Sequence, residues 1–129
     1  METILVVDDN PLVLNTITLG LRHAGFAVLE AASPMEALDV GARYSDPIHL
    51  IILDVILPNM DGPDLAEQFL QRHPECRCLF VSGLPDTPRV AKQILGRGLP
   101  FLAKPFLPQA LVKKVRAVLD TPTVHSAGA

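Results

Sequence analysis

Three carboxylates, a hydroxyl and an ammonium stand at the ends of four different apolar runs in this chain. Ile4-Leu5-Val6-Val7 runs into Asp8-Asp9, and Leu50-Ile51-Ile52-Leu53 runs into Asp54. Leu79-Phe80-Val81 runs into Ser82, and Leu99 to Ala103 runs into Lys104-Pro105-Phe106. A carboxylate where a buried strand meets a loop is costly unless something pairs with it. Strands that run parallel bring such ends to one edge of a sheet, where these side chains supply one another's partners. Three clustered carboxylates repel, and a hard divalent cation resolves that repulsion; Mg²⁺ favours one or two carboxylates, waters and phosphate oxygens. Phosphoryl transfer asks the protein for in-line positioning and charge neutralisation rather than elaborate covalent chemistry. The constellation therefore reads as a phosphoryl-accepting site. Asp54 is its nucleophile, forming an acyl phosphate; Asp8 and Asp9 hold the cation, and Lys104 and Ser82 each meet a phosphoryl oxygen.

The elements that must position these residues alternate short apolar runs with segments of helical period, the signature of βαβ units around a parallel sheet. Strands are expected at Ile4 to Val7, Phe26 to Ala31, His49 to Leu53, Cys78 to Ser82 and Pro100 to Ala103. The first helix starts at Asn10-Pro11, with Asn as cap and Pro at the first helical position. Leu14, Ile17, Leu21 and Ala24 mark its core face, and Gly25 stops it. Ser33-Pro34-Met35-Glu36 is a capping box opening a second helix that runs toward Tyr44. Gly62-Pro63 begins a third, ending near His73, and Thr87-Pro88 a fourth, which Gly96 and Gly98 shorten. The last starts near Pro108, with Leu111, Val115 and Val118 on one face, and ends before Pro122. Five strands and five helices in alternation predict an α/β doubly wound (βα)5 sheet, flavodoxin-like, in the order 2-1-3-4-5. In such sheets ligands sit outside the carboxyl ends of the strands, where the chemistry-bearing residues fall. Residues 1–120 are expected to form one domain and 121–129 a flexible tail or the start of a linker.

A chain of 129 residues, 49% hydrophobic and 19% charged, has the make-up of a single globular domain and not of a disordered segment. Its net charge of −3 leaves no basic footprint for nucleic acid. No apolar run approaches the ~18 residues of a membrane span, and no charged leader precedes an apolar stretch. Cys76 and Cys78 are too few for a disulfide framework; in an extended segment they are expected to face opposite ways and not to bridge. Free thiols without a signal sequence suggest the cytoplasm. His23, His49, His73 and His125 lie away from the strand ends and read as surface or satisfied histidines, not metal ligands.

Four segments together, Val6-Val7-Asp8-Asp9, Asp54 to Asp61-Gly62, Val81-Ser82-Gly83 and Lys104-Pro105-Phe106, resemble the response-regulator receiver domains of two-component signalling. The resemblance covers residues 3 to about 120. It implies that Asp54 takes a phosphoryl group from a phosphohistidine on a sensor histidine kinase or histidine phosphotransfer protein. It implies a Mg²⁺ site at Asp8, Asp9 and Asp54 with the Ile56 carbonyl as a further ligand. Ser82 and Phe101 become the switch pair, and the Lys104-Pro105 bond becomes cis. Such a protein is a signalling switch that catalyses only its own phosphoryl transfer and dephosphorylation; homodimerisation on phosphorylation is left open. An inert interaction module that keeps the site unused is the competing reading. A hydrolase of the haloacid dehalogenase type wants a second Asp two residues after the nucleophile, and Ile56 stands there instead. Apolar Ile56 and Leu84, each two residues beyond a site residue, cannot orient an attacking water, which predicts a long-lived phosphate.

One helix face is left without a role in the core. At about 100° per residue, Leu12, Asn15, Thr16 and Leu19 form a stripe opposite the apolar face of the first helix. With the Pro105-Phe106 loop as a second jaw, that stripe is expected to dock a partner's amphipathic helix beside Asp54.

Overall fold

The computed structural model describes residues 1–55, 57, 59–82 and 100–121. In chain order they form β1 (Thr3–Val7), α1 (Pro11–His23), β2 (Ala27–Ala31), α2 (Pro34–Arg43) and β3 (Leu50–Asp54). There follow α3 (Gly62–Arg72), β4 (Arg77–Ser82), β5 (Phe101–Ala103) and α4 (Pro108–Asp120). The helix expected from Thr87 lies outside the described residues, as do Ile56, Leu84 and His125. All strand pairings are parallel, and the sheet order is β2-β1-β3-β4-β5, the expected doubly wound arrangement.

The sheet is covered on both faces, which is why its strands read as unbroken apolar runs rather than alternating ones. Leu5, Val7, Ile51, Leu53 and Phe80 pack on one side with Ala37 of α2 and Leu65 and Phe69 of α3. Ile4, Val6, Ile52, Leu79 and Val81 pack on the other with Ile17 and Leu21 of α1 and Leu111, Val115 and Val118 of α4. Full burial of each large side chain contributes roughly 1.5–3 kcal/mol, so these two layers outweigh every polar contact in fixing the sheet.

Local signals set the helix ends. Asn10 Oδ1 accepts from the amides of Leu12 (2.9 Å) and Val13 (3.3 Å), and Ser33 Oγ accepts from Glu36 N (3.1 Å). Asp61 Oδ1 accepts from Asp64 N (2.9 Å), which makes it the cap of α3. Gly25, at φ 99°, ends α1 in a conformation that L side chains rarely adopt. Phe26 N then donates to Leu21 O and Gly25 N to Arg22 O, the paired bonds of a Schellman stop.

Three expectations need correction. Ala24 is not on the core face of α1: it is the exposed C-cap, where the chain has begun to leave the helix, and Leu14 is only half-buried. Asp54 is the last residue of β3 rather than the first of a loop, because its partner Val81 is still paired. Cys76 and Cys78 do not face opposite ways. Residues two apart in extended chain share a side, and both thiols are buried in the core between the sheet and α2 and α3, unbridged.

Candidate functional site

Register brings the site together. Val7 pairs with Leu53, so Asp8 and Asp54 leave adjacent strands at the same level. Asp54 pairs with Val81, and Ser82 pairs with Ala103, so Ser82 and Lys104 follow at that same edge. Side-chain parity then sorts them. Asp8, Asp54 and Lys104 continue the alternation of Val6, Ile52 and Leu102, which face α1 and α4. Ser82 continues that of Phe80, on the face that Phe101 also packs against.

Lys104 is the hinge of the electrostatics. Its Nζ lies 2.8 Å from Asp54 Oδ2 and 3.1 Å from Asp8 Oδ2. The side chain reaches back from β5 across the sheet edge to strands two and three positions away, a span that only a long side chain covers. Asp8 is 1% exposed, and its second oxygen, Oδ1, accepts from Asn10 N at 2.9 Å. The same Asn10 that caps α1 thus ties that helix to the buried carboxylate. Burial works to lower the Lys104 pKa, but its hydrogen bonds and charge pairing with Asp54 and Asp8 outweigh burial and raise it above the ordinary lysine value. Lys104 is accordingly a fixed cation.

The backbone at the site is held as tightly. Lys104 N donates to Ser82 O (2.7 Å), and Val55 N donates to Val81 O (3.2 Å). The Lys104-Pro105 peptide is cis, as the resemblance implied. Asn59 takes a positive φ of 67° in the turn after Asp54, a conformation Asn tolerates better than most residues. Gly62 N then donates to Val55 O at 2.7 Å, folding the start of α3 back onto the end of β3. A Cβ on Gly62 would lie 3.0 Å from Val55 Cα and closer still to the Asp54 carbonyl oxygen. The sequence reading took Gly62 as a helix start and as part of the segment that carries the resemblance; its close approach to Asp54 has no signal beyond the residue type. Asn10 was likewise read as a cap alone, although its place two residues after Asp8 is where a carboxylate meets an amide in an Asx-type turn.

Of the remaining candidates, Ser82 is buried, Phe101 is half-buried, and Asp9 is exposed at the rim. Ile56 lies outside the described residues. Among the described residues no three acidic, histidine or cysteine side chains form a ready-made metal cluster. The donor set nonetheless suits a divalent cation: the carboxylates of Asp8 and Asp54 share one ammonium, which leaves an excess of negative charge, and exposed Asp9 follows Asp8 in the chain. The stripe on α1 points outward as expected, with Leu12 74% and Leu19 58% exposed beside exposed Asn15 and Thr16. Thr16 Oγ1 turns inward on its own helix and donates to Leu12 O at 2.8 Å. Pro105 is exposed, whereas Phe106 is half-buried and packs against the core that Val13, Leu14 and Leu102 also border. None of the helices among the described residues is long and apolar enough to cross a membrane.

Comparison with known proteins gives a consistent result. A family model described as the response regulator receiver domain matches residues 4–116. The sensor kinase CckA of Brucella abortus is 33% identical over 124 residues, 92% of this chain but 12% of that protein. The transcriptional regulatory protein CreB of Escherichia coli is 32% identical over 121 residues, 92% of this chain and 51% of that protein. The chain therefore spans about half of one relative and a small part of the other. A CheY-like receiver domain protein from Methanospirillum hungatei superposes with a TM-score of 0.82 at 27% identity, covering 93% of this chain and 94% of that one. A response regulator from Burkholderia pseudomallei, with a phosphorylated aspartic acid, a calcium ion and citrate, gives 0.76 at 27% identity, covering 99% of this chain and 72% of that one.

Proposed function

The chain belongs to the response-regulator receiver family of two-component signalling, and from that premise we propose that Asp54 is the residue that accepts the phosphoryl group. The observation that carries this reading is the Lys104 ammonium shared between Asp54 and buried Asp8 at the carboxyl edge of the sheet. Receivers of this family are phosphorylatable signalling domains that hold a divalent metal at the phosphorylation site and interact with histidine kinases or phosphotransfer proteins.

In the proposed reaction an Asp54 carboxylate oxygen attacks the phosphorus of a phosphohistidine. The P–O bond forms as the P–N bond breaks, and the leaving imidazole takes the electron pair. Lys104 stays charged throughout and turns from Asp8 toward a phosphoryl oxygen, while the Ser82 hydroxyl donates to another. Asp8 and Asp9, with the Ile56 carbonyl, would hold Mg²⁺, whose role is to neutralise the phosphoryl oxygens as charge shifts onto them. The chain catalyses only this transfer and the eventual hydrolysis of its own acyl phosphate. Ser82 and Phe101, on one face of neighbouring strands, would carry the change to the surface as the switch pair.

We read residues 1–120 as the receiver unit and 121–129 as a tail or linker start, since α4 ends at Asp120. The partner is a sensor histidine kinase or histidine phosphotransfer protein in the cytoplasm, docking on Leu12, Asn15, Thr16 and Leu19 with Pro105 and Phe106 as the other jaw. The experiment is to treat the protein with acetyl phosphate and Mg²⁺ and measure intact mass. A phosphoryl adduct is expected on the native chain and none on Asp54→Asn, with circular dichroism unchanged by the substitution. An adduct retained by Asp54→Asn would refute the assignment, and none on either protein would favour the inert interaction module.

A further inference from the structure

The turn between β1 and α1 carries Asp8 and Asp9, and its hydrogen bonds close on one side chain, that of Asn10. A helix begins with four backbone donors that its own turns leave unused. In α1 the donor at the cap, Asn10 N, goes to Asp8 Oδ1 at 2.9 Å. The next position is Pro11, which has no N–H. The following two donors, Leu12 N and Val13 N, both go to Asn10 Oδ1, at 2.9 and 3.3 Å. Every donor of that terminus is thereby accounted for, and the first turn holds no acidic residue that could take over the capping. Leu14 N donates to Asn10 O at 3.0 Å and Asp8 N to Ala31 O at 3.1 Å, so the turn is anchored at both ends.

The consequence falls on Asp8. Its buried carboxylate is oriented from two sides, Oδ1 by Asn10 N and Oδ2 by Lys104 Nζ at 3.1 Å. Asp54 Oδ2 meets the same ammonium at 2.8 Å, so the two Oδ2 atoms face one place. When Lys104 gives way there to a cation, the bond from Asn10 N to Oδ1 is what keeps the Asp8 carboxylate from turning. A group ordered beforehand loses less freedom on binding, and hydrogen-bond partners of this kind orient metal ligands generally. Any residue but proline could offer the amide. What the Asn side chain adds is a fixed start to α1, which keeps that amide aimed at Asp8. Asn10 stands at φ −89° and ψ 113°, the extended region that a following proline also favours, so side chain and backbone act together.

We infer that Asn10 is a positioning residue for the cation site: its side chain fixes the first turn of α1, and through its amide that turn holds Asp8 ready for the metal. The inference rests on the reading of Asp8 as a cation ligand. The test is a titration of the unphosphorylated chain with Mg²⁺, followed by amide chemical shifts. Asn10→Ala should weaken Mg²⁺ binding about tenfold, the lower end of what such partners contribute. Asn10→Ser keeps a capping oxygen and should bind within about twofold of the native chain. Ser33→Ala removes the cap of α2, on the other face of the sheet, and serves as the control. It should lower the melting temperature about as much as Asn10→Ala does, yet leave Mg²⁺ affinity unchanged. In labelling by acetyl phosphate, Asn10→Ala should need about tenfold more Mg²⁺ for half its maximal rate and reach the native rate at saturation. Native affinity in Asn10→Ala, no rescue by Asn10→Ser, or an equal loss in Ser33→Ala overturns the proposal and leaves Asp54 as phosphoacceptor untouched. A native chain that takes up no Mg²⁺ overturns it together with the cation reading of the site.

Discussion

Replacing Lys104 with Met removes the ammonium and keeps most of the stem, so it isolates what the charge does. In the native chain that ammonium sits 2.8 Å from Asp54 and 3.1 Å from Asp8. Its loss leaves Asp8, 1% exposed, without its cation and beside a second carboxylate. Removing one partner of a buried ion pair costs roughly 3–5 kcal/mol, because the other partner is left buried without its counter-charge. Asp54 and Lys104 keep 15% and 18% of their side-chain exposure, which places the expected loss near the lower figure. About 3 kcal/mol in a domain of this size lowers the melting temperature by roughly 10 °C. A divalent cation should then stabilise the variant more than the native protein, since the ammonium no longer competes with it for the carboxylates. Ligand at ~10 times its Kd stabilises by about 1.4 kcal/mol and at ~100 times by about 2.7 kcal/mol. A tenfold gain in affinity therefore shows as a visibly larger Mg²⁺-induced shift. The assay is thermal and urea unfolding by circular dichroism with and without Mg²⁺. A variant as stable as the native chain, or one that gains no more from Mg²⁺ than the native chain does, would refute the reasoning.

Other substitutions probe the neighbouring parts. Leu12→Glu with Leu19→Glu should sharply reduce labelling by a phosphohistidine partner while leaving labelling by acetyl phosphate intact; equal loss from both donors would sink the docking face. Gly62→Ala forces a Cβ against the Asp54 carbonyl and the Val55 backbone. It should cost about 1–3 kcal/mol and slow phosphorylation, and a neutral unfolding curve would show that the loop yields instead. Burial pushes the Cys76 thiol up to about 12 and the Cys78 thiol up to about 11, from a normal value of 9.0, with the neighbouring Cys78 adding to the Cys76 shift. Both folded-state values are raised, so their stabilising contribution is whole below about pH 9 and is lost progressively toward 11–12. The expected slope is at most about 1.4 kcal/mol per pH unit for each thiol. Cys76→Ala with Cys78→Ala should flatten that alkaline slope, and fast labelling of the native thiols by a disulfide reagent near neutral pH would contradict their burial.

Fold class and strand order were legible in the chain, from local apolar and capping signals together with the crossover rule, and the polar residues that the sheet gathers at its carboxyl edge stood out at the run ends. Apolar runs without alternation announce strands covered on both faces, Asn10, Ser33 and Gly25 punctuate the helices, and polar residues at run ends mark the functional edge. The helical period also oriented α1 correctly at Ile17 and Leu21, and erred at Ala24, where it was extended one residue past His23, the last residue of the helix. The rest depends on register and on contacts between distant segments. The pairing of Val7 with Leu53 sets Asp8 level with Asp54. The reach of Lys104 across the sheet edge joins residues as much as 96 positions apart. Asp8 is sealed in the core while adjacent Asp9 stays at the rim, because successive residues leaving a strand turn to opposite sides. The fold of α3 back against Asp54, which leaves no room for a Cβ at Gly62, is likewise a property of packed surfaces. No pattern along the chain encodes a distance between two elements until both are packed against the same core.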